Sequence, residues 1–175
     1  MSQSRSRVLI LAAAVSISFG AAAFAQPPAD TAASTAPDAA FVKKASAAGL
    51  AEVTLGKLGA EKGASSDIKT FGQTMVDDHT KAGDELKTIA AAKSIPVSTA
   101  PMPADATAAA SIGKKDGAAF DTAFKTKMVA DHEKVIKLFT TESSTGKDPE
   151  LKAFATKTLP TLQHHLEMAK QLPSK

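Results

Sequence analysis

The stretch MVDDH at residues 75–79 and its counterpart MVADH at residues 128–132 decide how this chain is interpreted. In both, an acidic residue and a histidine interrupt an apolar pattern that has helical spacing. A charged group on the buried face of a helix is unfavourable unless it is paired or bound to a metal ion. Glu52 and His165 break apolar patterns elsewhere in the same way. The sequence therefore predicts a bundle of helices with a polar cluster in its core.

The composition favours a single all-α domain. A chain of 175 residues with 43% hydrophobic residues can bury one sizeable core but not two. Tyrosine and tryptophan are absent and alanine is abundant, which suits close-packed helices better than sheets. Cysteine is also absent, so disulfides and thiolate metal sites are excluded and nitrogen and oxygen would have to hold any metal.

The N-terminal segment has the features of a signal peptide. Two arginines precede an apolar run at residues 8–19, and residues 23–25 (AFA) carry the small residues that a signal peptidase requires. We predict a signal peptide at residues 1–25 and a periplasmic or secreted protein. An uncleaved membrane anchor is the alternative, but the run is short and rich in Ala and Ser, so we expect no transmembrane segment after cleavage.

The charge of the mature chain excludes one class of partner. The signal peptide carries two of the 21 basic residues and none of the 18 acidic ones, so its removal leaves a net charge of +1. A balance so close to neutral is not the footprint of a nucleic-acid-binding protein. We predict no nucleic-acid partner. The sequence identifies no other partner, and it leaves an oligomer open.

Helix signals divide the rest of the chain into four long helices. Asp38 is the predicted N-cap of the first helix, and Asp148 followed by Pro149 is the predicted start of the fourth. Prolines forbid a long helix in the connection between the second and third helices, although a short one fits there. The predicted elements are a flexible linker at 26–37, a bundle domain at 38–172, a turn at 63–66, a crossover at 94–117 and a short helix at 104–112.

The four helices form two repeated units. Residues 68–72 (IKTFG) match residues 151–155 (LKAFA), and a phenylalanine stands 11 residues before both Glu52 and Asp131. The chain therefore reads as two αα-hairpins repeated with an offset of 79 to 83 residues. A long crossover between the hairpins can span the full length of the bundle.

Positions along the predicted helices allow the polar residues to meet. Counted from the helix ends, the histidines and acids lie within a turn or two of one level, and facing helices of a bundle can build metal sites from such residues. The candidate metal ligands are Glu52, His79, His132 and His165, with Asp78 and Asp131 as ligands or as groups that orient them. Imidazole and carboxylate suit a divalent iron, manganese, zinc or copper ion.

A metal-free interpretation stays open beside this one. Buried His–carboxylate pairs can fix the register of helices without any metal, and the protein would then be a structural or stress-related bundle that acts through its surface. The sequence does not identify a catalytic residue. It has no Gly-x-Ser-x-Gly elbow and no cysteine, so nucleophilic catalysis has no support.

Taken together, these residues resemble a bacterial exported family, domain of unknown function 4142, which is similar to ferritin-like four-helix proteins. The resemblance covers about residues 41–172 and rests on Phe41 with Glu52 and Val53, Ile68 with Lys69 and Phe71, residues 75–79, Phe120 with Asp121 and His132, residues 151–155, Leu159 with Pro160, and His165 with Leu166. It implies the bundle fold and an exported location, because the family has no established activity.

The motif of ferritin-like di-iron proteins is missing from this chain. Those proteins carry Glu-x-x-His on two helices. The residues three positions before the three candidate histidines are Val76, Val129 and Leu162. The resemblance therefore does not imply ferroxidase chemistry here.

The first testable prediction concerns processing. If signal peptidase cleaves after residue 25, mass spectrometry of the exported protein finds Gln26 at the N-terminus. Replacing Ala23 and Ala25 by bulky residues should block cleavage, whereas replacing Ala21 should not. Recovery of an uncut, membrane-retained wild-type chain would show that the segment is an anchor.

Overall fold

The computed structural model describes residues 35–173, and five helices make up most of this range. They are α1 Ala36–Lys62, α2 Ser66–Ala92, α3 Pro103–Gly113, α4 Gly117–Thr145 and α5 Pro149–Gln171. No strand occurs among the described residues, so the predicted all-α class is confirmed. The predicted signal peptide at residues 1–25 and the linker up to residue 34 lie outside the described residues.

Helix α1 begins two residues before the predicted start of the bundle domain. Its N-cap is Thr35, whose side chain accepts a hydrogen bond from the Asp38 N–H, while the Thr35 N–H donates to Asp38 Oδ2 at 2.8 Å. This reciprocal pair is a capping box, in which the acid stands at the third helical position. The prediction that Asp38 is the N-cap was therefore wrong.

Helices α1 and α2 form the first predicted hairpin, joined by a turn at residues 63–65. The Ile68 N–H donates to Ser65 Oγ at 3.2 Å, so Ser65 caps α2, one of the two serines that the sequence offered. Two glycines let the helices approach closely. A Cβ atom on Gly72 would lie 2.6 Å from the carbonyl oxygen of Gly56 and 2.4 Å from the backbone nitrogen of Ala60.

Helices α4 and α5 form the second hairpin. Asp148 caps α5 by accepting hydrogen bonds from the N–H groups of Glu150 and Leu151 at 3.0 Å, and Pro149 opens the helix as predicted. Phe71 and Phe154, which match in the sequence repeat, are 1% and 3% exposed. The repeat therefore describes two hairpins that place equivalent phenylalanines in the core.

The two hairpins pack side by side with neighbouring helices antiparallel. Helix α1 lies against α4, since Phe41 near the start of α1 stacks edge-on with Phe139 near the end of α4 at 5.1 Å. Helix α2 lies against α5, since Lys93 just after α2 pairs with Asp148 just before α5 at 2.8 Å. We call the end with the turn at residues 63–65 the upper end and the end with the turn at residues 146–148 the lower end.

The crossover runs from the lower end of α2 to the upper end of α4, as the prolines predict. Its short helix α3 lies against α1 and α4. The Lys62 ammonium group donates to the carbonyl oxygen of Gly113 at 2.6 Å and pairs with Asp116 at 2.9 Å, which fixes the upper end of the crossover. The predicted span and the predicted short helix are both confirmed.

Two buried aspartates hold each hairpin to the turn of the other. Asp38 of α1 accepts a hydrogen bond at Oδ1 from the Lys147 N–H at 2.9 Å in the lower turn. Asp121 of α4 accepts one at Oδ1 from the Ala64 N–H at 3.1 Å in the upper turn. The two carboxylates occupy equivalent positions in the repeat, so the hairpins are joined reciprocally at both ends.

Buried apolar residues form two clusters, one in each half of the bundle. The lower cluster contains Phe41, Val42, Ala45, Leu86, Ala90, Val135, Phe139, Leu151, Phe154, Ala155 and Leu162. The upper cluster contains Leu55, Ile68, Phe71, Met75, Ala109, Ile112, Phe120, Phe124, Met128, Ala169 and Leu172. Among residues 35–173, no helix combines the length and apolar character needed to cross a membrane.

The close packing of α1 on α2 generates a matched pair of expected outcomes. Gly72→Ala should lower the free energy of unfolding by at least about 2 kcal/mol, because its methyl group would overlap backbone atoms that cannot move aside. Gly83→Ala on the same helix should raise it by about 1 kcal/mol, because nothing lies within 4 Å of a Cβ there and alanine favours the helix. Urea unfolding of both variants measures the difference, and equal effects would contradict this packing.

Candidate metal centre

Three histidines converge between the two apolar clusters. His79 comes from α2, His132 from α4 and His165 from α5, and their ring centroids are 5.4 to 5.7 Å apart. One nitrogen of each ring lies within 4.8 Å of the other two. The residues are 9%, 1% and 1% exposed. We call these three residues the imidazole trio, and both hairpins contribute to it.

Hydrogen bonds define the orientation of two of the rings. His132 Nδ1 lies 2.8 Å from the carbonyl oxygen of Met128, and His165 Nε2 lies 2.9 Å from Asp78 Oδ2. A carbonyl or carboxylate oxygen can only accept, so in both cases the ring nitrogen carries the proton and donates. The other nitrogen of each ring is then an unprotonated lone-pair donor.

Each ring leaves one buried nitrogen without a hydrogen-bond partner. These atoms are Nε2 of His79, Nε2 of His132 and Nδ1 of His165. A buried polar atom without a partner costs about 1 to 3 kcal/mol, so proteins rarely keep three in one place. The remaining ring nitrogens of His132 and His165 are the ones already bonded to protein oxygens. The free nitrogens are therefore the atoms that face one another.

Burial keeps the imidazoles uncharged at neutral pH. It lowers the pKa of His79 to about 3, with the neighbouring His132 and His165 adding to the effect. It lowers the pKa of His132 to about 4 despite the hydrogen bond to Met128. Burial also lowers the pKa of His165, although Asp78 opposes the shift. Neutral imidazole is the form that binds metal ions.

Glu52 lies next to the trio but behind His132. Its Oε1 is 3.9 Å from His132 Nδ1, the nitrogen that donates to Met128, and its Oε2 is buried without a partner. Burial raises the pKa of Glu52 well above its ordinary value, and the charge of Asp131 raises it further. The side chain is 2% exposed and uncharged at neutral pH. The predicted ligand Glu52 is thus in the core but outside the trio.

The two predicted aspartates have different positions. Asp78 is half-buried and bonds the far side of His165, where it orients the ring. Asp131 turns toward α3, because Lys127 pairs with both Asp131 and Asp105 at 2.7 Å. Sequence reasoning placed Asp131 on the main apolar pattern of α4 and His132 beside it, whereas His132 is buried and Asp131 is half-buried. The neighbours Asp77 and His164 are exposed, as predicted.

Sequence reasoning missed a second group of buried acids at the lower end. Asp38, Glu142 and Asp148 are 0%, 5% and 1% exposed. Burial raises the pKa of Glu142 to about 7, with the charge of Asp38 as the next cause. Lys93 neutralises Asp148 at 2.8 Å. The available signal was an acid in the last turn of α4, where the helix dipole disfavours negative charge.

The fold and the site define a class: a four-helix bundle whose core holds three neutral histidines. Residues 23–172 match the model of the family described as Domain of unknown function (DUF4142), and the chain belongs to this family. The family predicted from the sequence is therefore confirmed. No curated protein matches the chain.

A solved structure gives an independent comparison of the fold. The chain is similar to a crystal structure of a DUF305 fragment from Deinococcus radiodurans, with a TM-score of 0.69 and 11% sequence identity. The match covers 78% of this chain and 95% of that one. At this identity the likeness concerns the fold alone. The relation to ferritin-like proteins stays a prediction.

The lowered histidine pKa values predict a pH dependence of stability. Below about pH 6.5 the unfolded chain binds protons at these residues and the folded protein does not, so stability falls as the pH decreases toward 4. Each histidine contributes up to about 1.4 kcal/mol per pH unit in this window. The raised pKa values of Glu52 and Glu142 act in the opposite direction, so a difference between variants is the useful quantity.

Metal-free wild type and His79→Leu should therefore be compared by urea unfolding between pH 7 and pH 4. The variant should gain stability relative to wild type as the pH falls below 6.5, because it no longer carries that buried base. His164→Leu, which changes an exposed neighbour of His165, is the control and should follow wild type. Parallel curves for wild type and His79→Leu would contradict the assigned protonation of the trio.

Proposed function

We propose that this protein binds one metal ion through His79, His132 and His165. The observation that carries the proposal is the set of three buried, unpartnered imidazole nitrogens within 4.8 Å of one another. They come from three helices of two hairpins, so the ion would join the hairpins at mid-height. Three protein nitrogens leave at least one coordination position for water or another ligand.

Unsatisfied nitrogens favour a metal over a role in helix register. A polar cluster that only fixes register is stable when its members bond one another, since a partly satisfied network is worse than an apolar core. In the trio the ring nitrogens bonded to protein oxygens point outward, and the free ones are left together. A metal ion would satisfy all three at once. The structural alternative offers these atoms nothing.

The groups behind the ligands fit a metal site as well. Metal-bound histidines generally donate their second nitrogen to a carboxylate or a backbone carbonyl, which fixes the tautomer and makes the ring a stronger ligand. Asp78 does this for His165, and the Met128 carbonyl does it for His132. Glu52 and Asp131, which the sequence offered as ligands, would stand outside the coordination shell.

The ligand set narrows the choice of metal. Imidazole nitrogens suit zinc, copper, iron and nickel, whereas manganese, magnesium and calcium prefer oxygen ligands. Three neutral ligands leave the full charge of the ion in an apolar core, so an anionic ligand such as hydroxide is expected to accompany it. We propose zinc or copper as the preferred ion, and a periplasmic or secreted location in line with the predicted signal peptide.

Calorimetric titration of chelator-treated protein with Zn²⁺ and Cu²⁺ tests the site. Wild type should bind one ion per chain, and His79→Gln, His132→Gln or His165→Gln should abolish tight binding. Asp78→Ala should weaken binding about 10- to 100-fold through loss of ring orientation. Asp77→Ala and His164→Gln change the exposed neighbours of these residues and should bind like wild type.

The pH dependence of binding separates this site from an exposed cluster of histidines. An exposed cluster releases its metal near pH 6, where ordinary imidazoles take up protons. The trio should still hold its ion at pH 5, because its pKa values lie well below 6.5. A wild-type protein that binds no ion at pH 7.5, or that binds equally well without His79 and His132, would exclude the proposed site.

A further inference from the structure

A partly open cavity of about 480 Å³ lies beside the imidazole trio in the lower half of the bundle. Its walls come from α1, α2, α4 and α5 and from residues 97–99 of the crossover. Large apolar side chains in the wall include Leu86, Val135, Phe139 and Leu162. The cavity is separate from the space between the free imidazole nitrogens, although His79 belongs to both.

Small residues on two helices create this space. Ala45, Ala48 and Ala82 stand at inward positions of the apolar patterns of α1 and α2, where larger residues would fill the core. Elsewhere on the same patterns the residues are phenylalanine, leucine, isoleucine or methionine. The opening is therefore specified by the sequence at several positions along both helices.

Two glycines in the lining have no packing role. A Cβ atom added to Gly49 or Gly83 would meet nothing within 4 Å, unlike one added to Gly56 or Gly72. A glycine inside a helix costs about 1 kcal/mol relative to alanine. Close approach of the helices accounts for the glycines at positions 56 and 72. It does not account for Gly49 and Gly83, which line the cavity instead.

One polar side chain in the cavity wall lacks a partner. Glu52 is 2% exposed, it lines the cavity, and its Oε2 has no hydrogen bond. An uncharged carboxyl group offers one donor and one acceptor at this point of an otherwise apolar wall. A ligand with a single hydroxyl group would satisfy it.

The crossover covers one side of the cavity. The Ser98 N–H donates to Ser46 Oγ at 2.8 Å, which fixes residues 97–99 against α1. Val97 and Thr99 then stand in the wall. This contact gives the cavity a defined boundary far from any turn.

We propose that this cavity binds a small, mainly apolar alcohol or phenol whose hydroxyl group meets Glu52. The volume falls within the range of about 300 to 1,000 Å³ that is usual for small-molecule sites. An apolar wall with one convergent polar group is also typical of such sites. Binding does not require the metal ion, so the proposal goes beyond the function proposed above and is tested on metal-free protein.

Benzyl alcohol and toluene are suitable probes, because they differ by the hydroxyl group. Titration of metal-free wild type, followed by NMR, should show saturable binding of one molecule with shifts at the amides of Gly49, Gly83 and Val97. Ala82→Phe fills the cavity and should weaken both probes at least tenfold. Ala91→Phe places the same side chain on an exposed face of the same helix and should leave binding unchanged.

The role of Glu52 has its own matched pair of variants. Glu52→Leu should weaken benzyl alcohol about three- to tenfold and leave toluene unchanged, because only the alcohol loses a hydrogen bond. Glu52→Gln keeps a donor and an acceptor and should retain the preference for the alcohol. Equal losses for the two probes in Glu52→Leu would overturn the assignment of the hydroxyl group to Glu52.

Thermal unfolding of every variant keeps the test interpretable. If Ala82→Phe does not fold, Gly49→Leu is the second filling variant, since its side chain enters open space. The absence of saturable binding to wild type would overturn the proposal. So would unchanged binding in a folded filling variant. Neither outcome bears on the metal titration, which uses different residues and no probe.

Discussion

Three imidazole nitrogens without hydrogen-bond partners lie in the centre of an apolar core, and the rest of the bundle depends on accommodating them. Each such atom costs about 1 to 3 kcal/mol, a substantial share of the stability of a domain of this size. The apolar clusters above and below the trio, the glycine contact between α1 and α2, and the reciprocal bonds of Asp38 and Asp121 all oppose this cost. Their arrangement at both ends of the bundle leaves the middle as the place where a polar layer is tolerated.

Local signals explain how much of the fold could be predicted. Helix caps, turn residues and apolar spacing are written in short stretches, so the two hairpins, the crossover and its short helix were all predictable. The error at the start of α1 has a local cause too, because Asp38 has a capping role in the third helical position and Thr35 was assigned to the linker. The convergence of the histidines followed from their similar heights in the helices.

The details of the site could not be predicted, because they depend on contacts between distant segments. Asp131 and His132 are neighbours on α4, and the apolar pattern allowed either to face the core. The choice is made by Lys127 and by Asp105 of α3, which bind Asp131 and leave the buried position to His132. Since α3 belongs to the crossover, no pattern within α4 carries this information. Glu52 has no such partner and stays buried beside His132.

The sequence repeat specifies the fold but is broken at the site, and the break has two consequences. With the offset of 83 residues that matches the phenylalanines, His79 corresponds to Leu162 and His165 corresponds to Ala82. A fully symmetric bundle would carry histidine at all of these positions, so the asymmetry restricts α2 and α5 to one imidazole each. Both substituted positions, Leu162 and Ala82, line the cavity beside the trio. Where the repeat would place a second histidine on α2, the alanine leaves open space instead. The same departure from symmetry thus limits the metal centre to three nitrogens and provides the adjoining volume in which a small apolar molecule can bind.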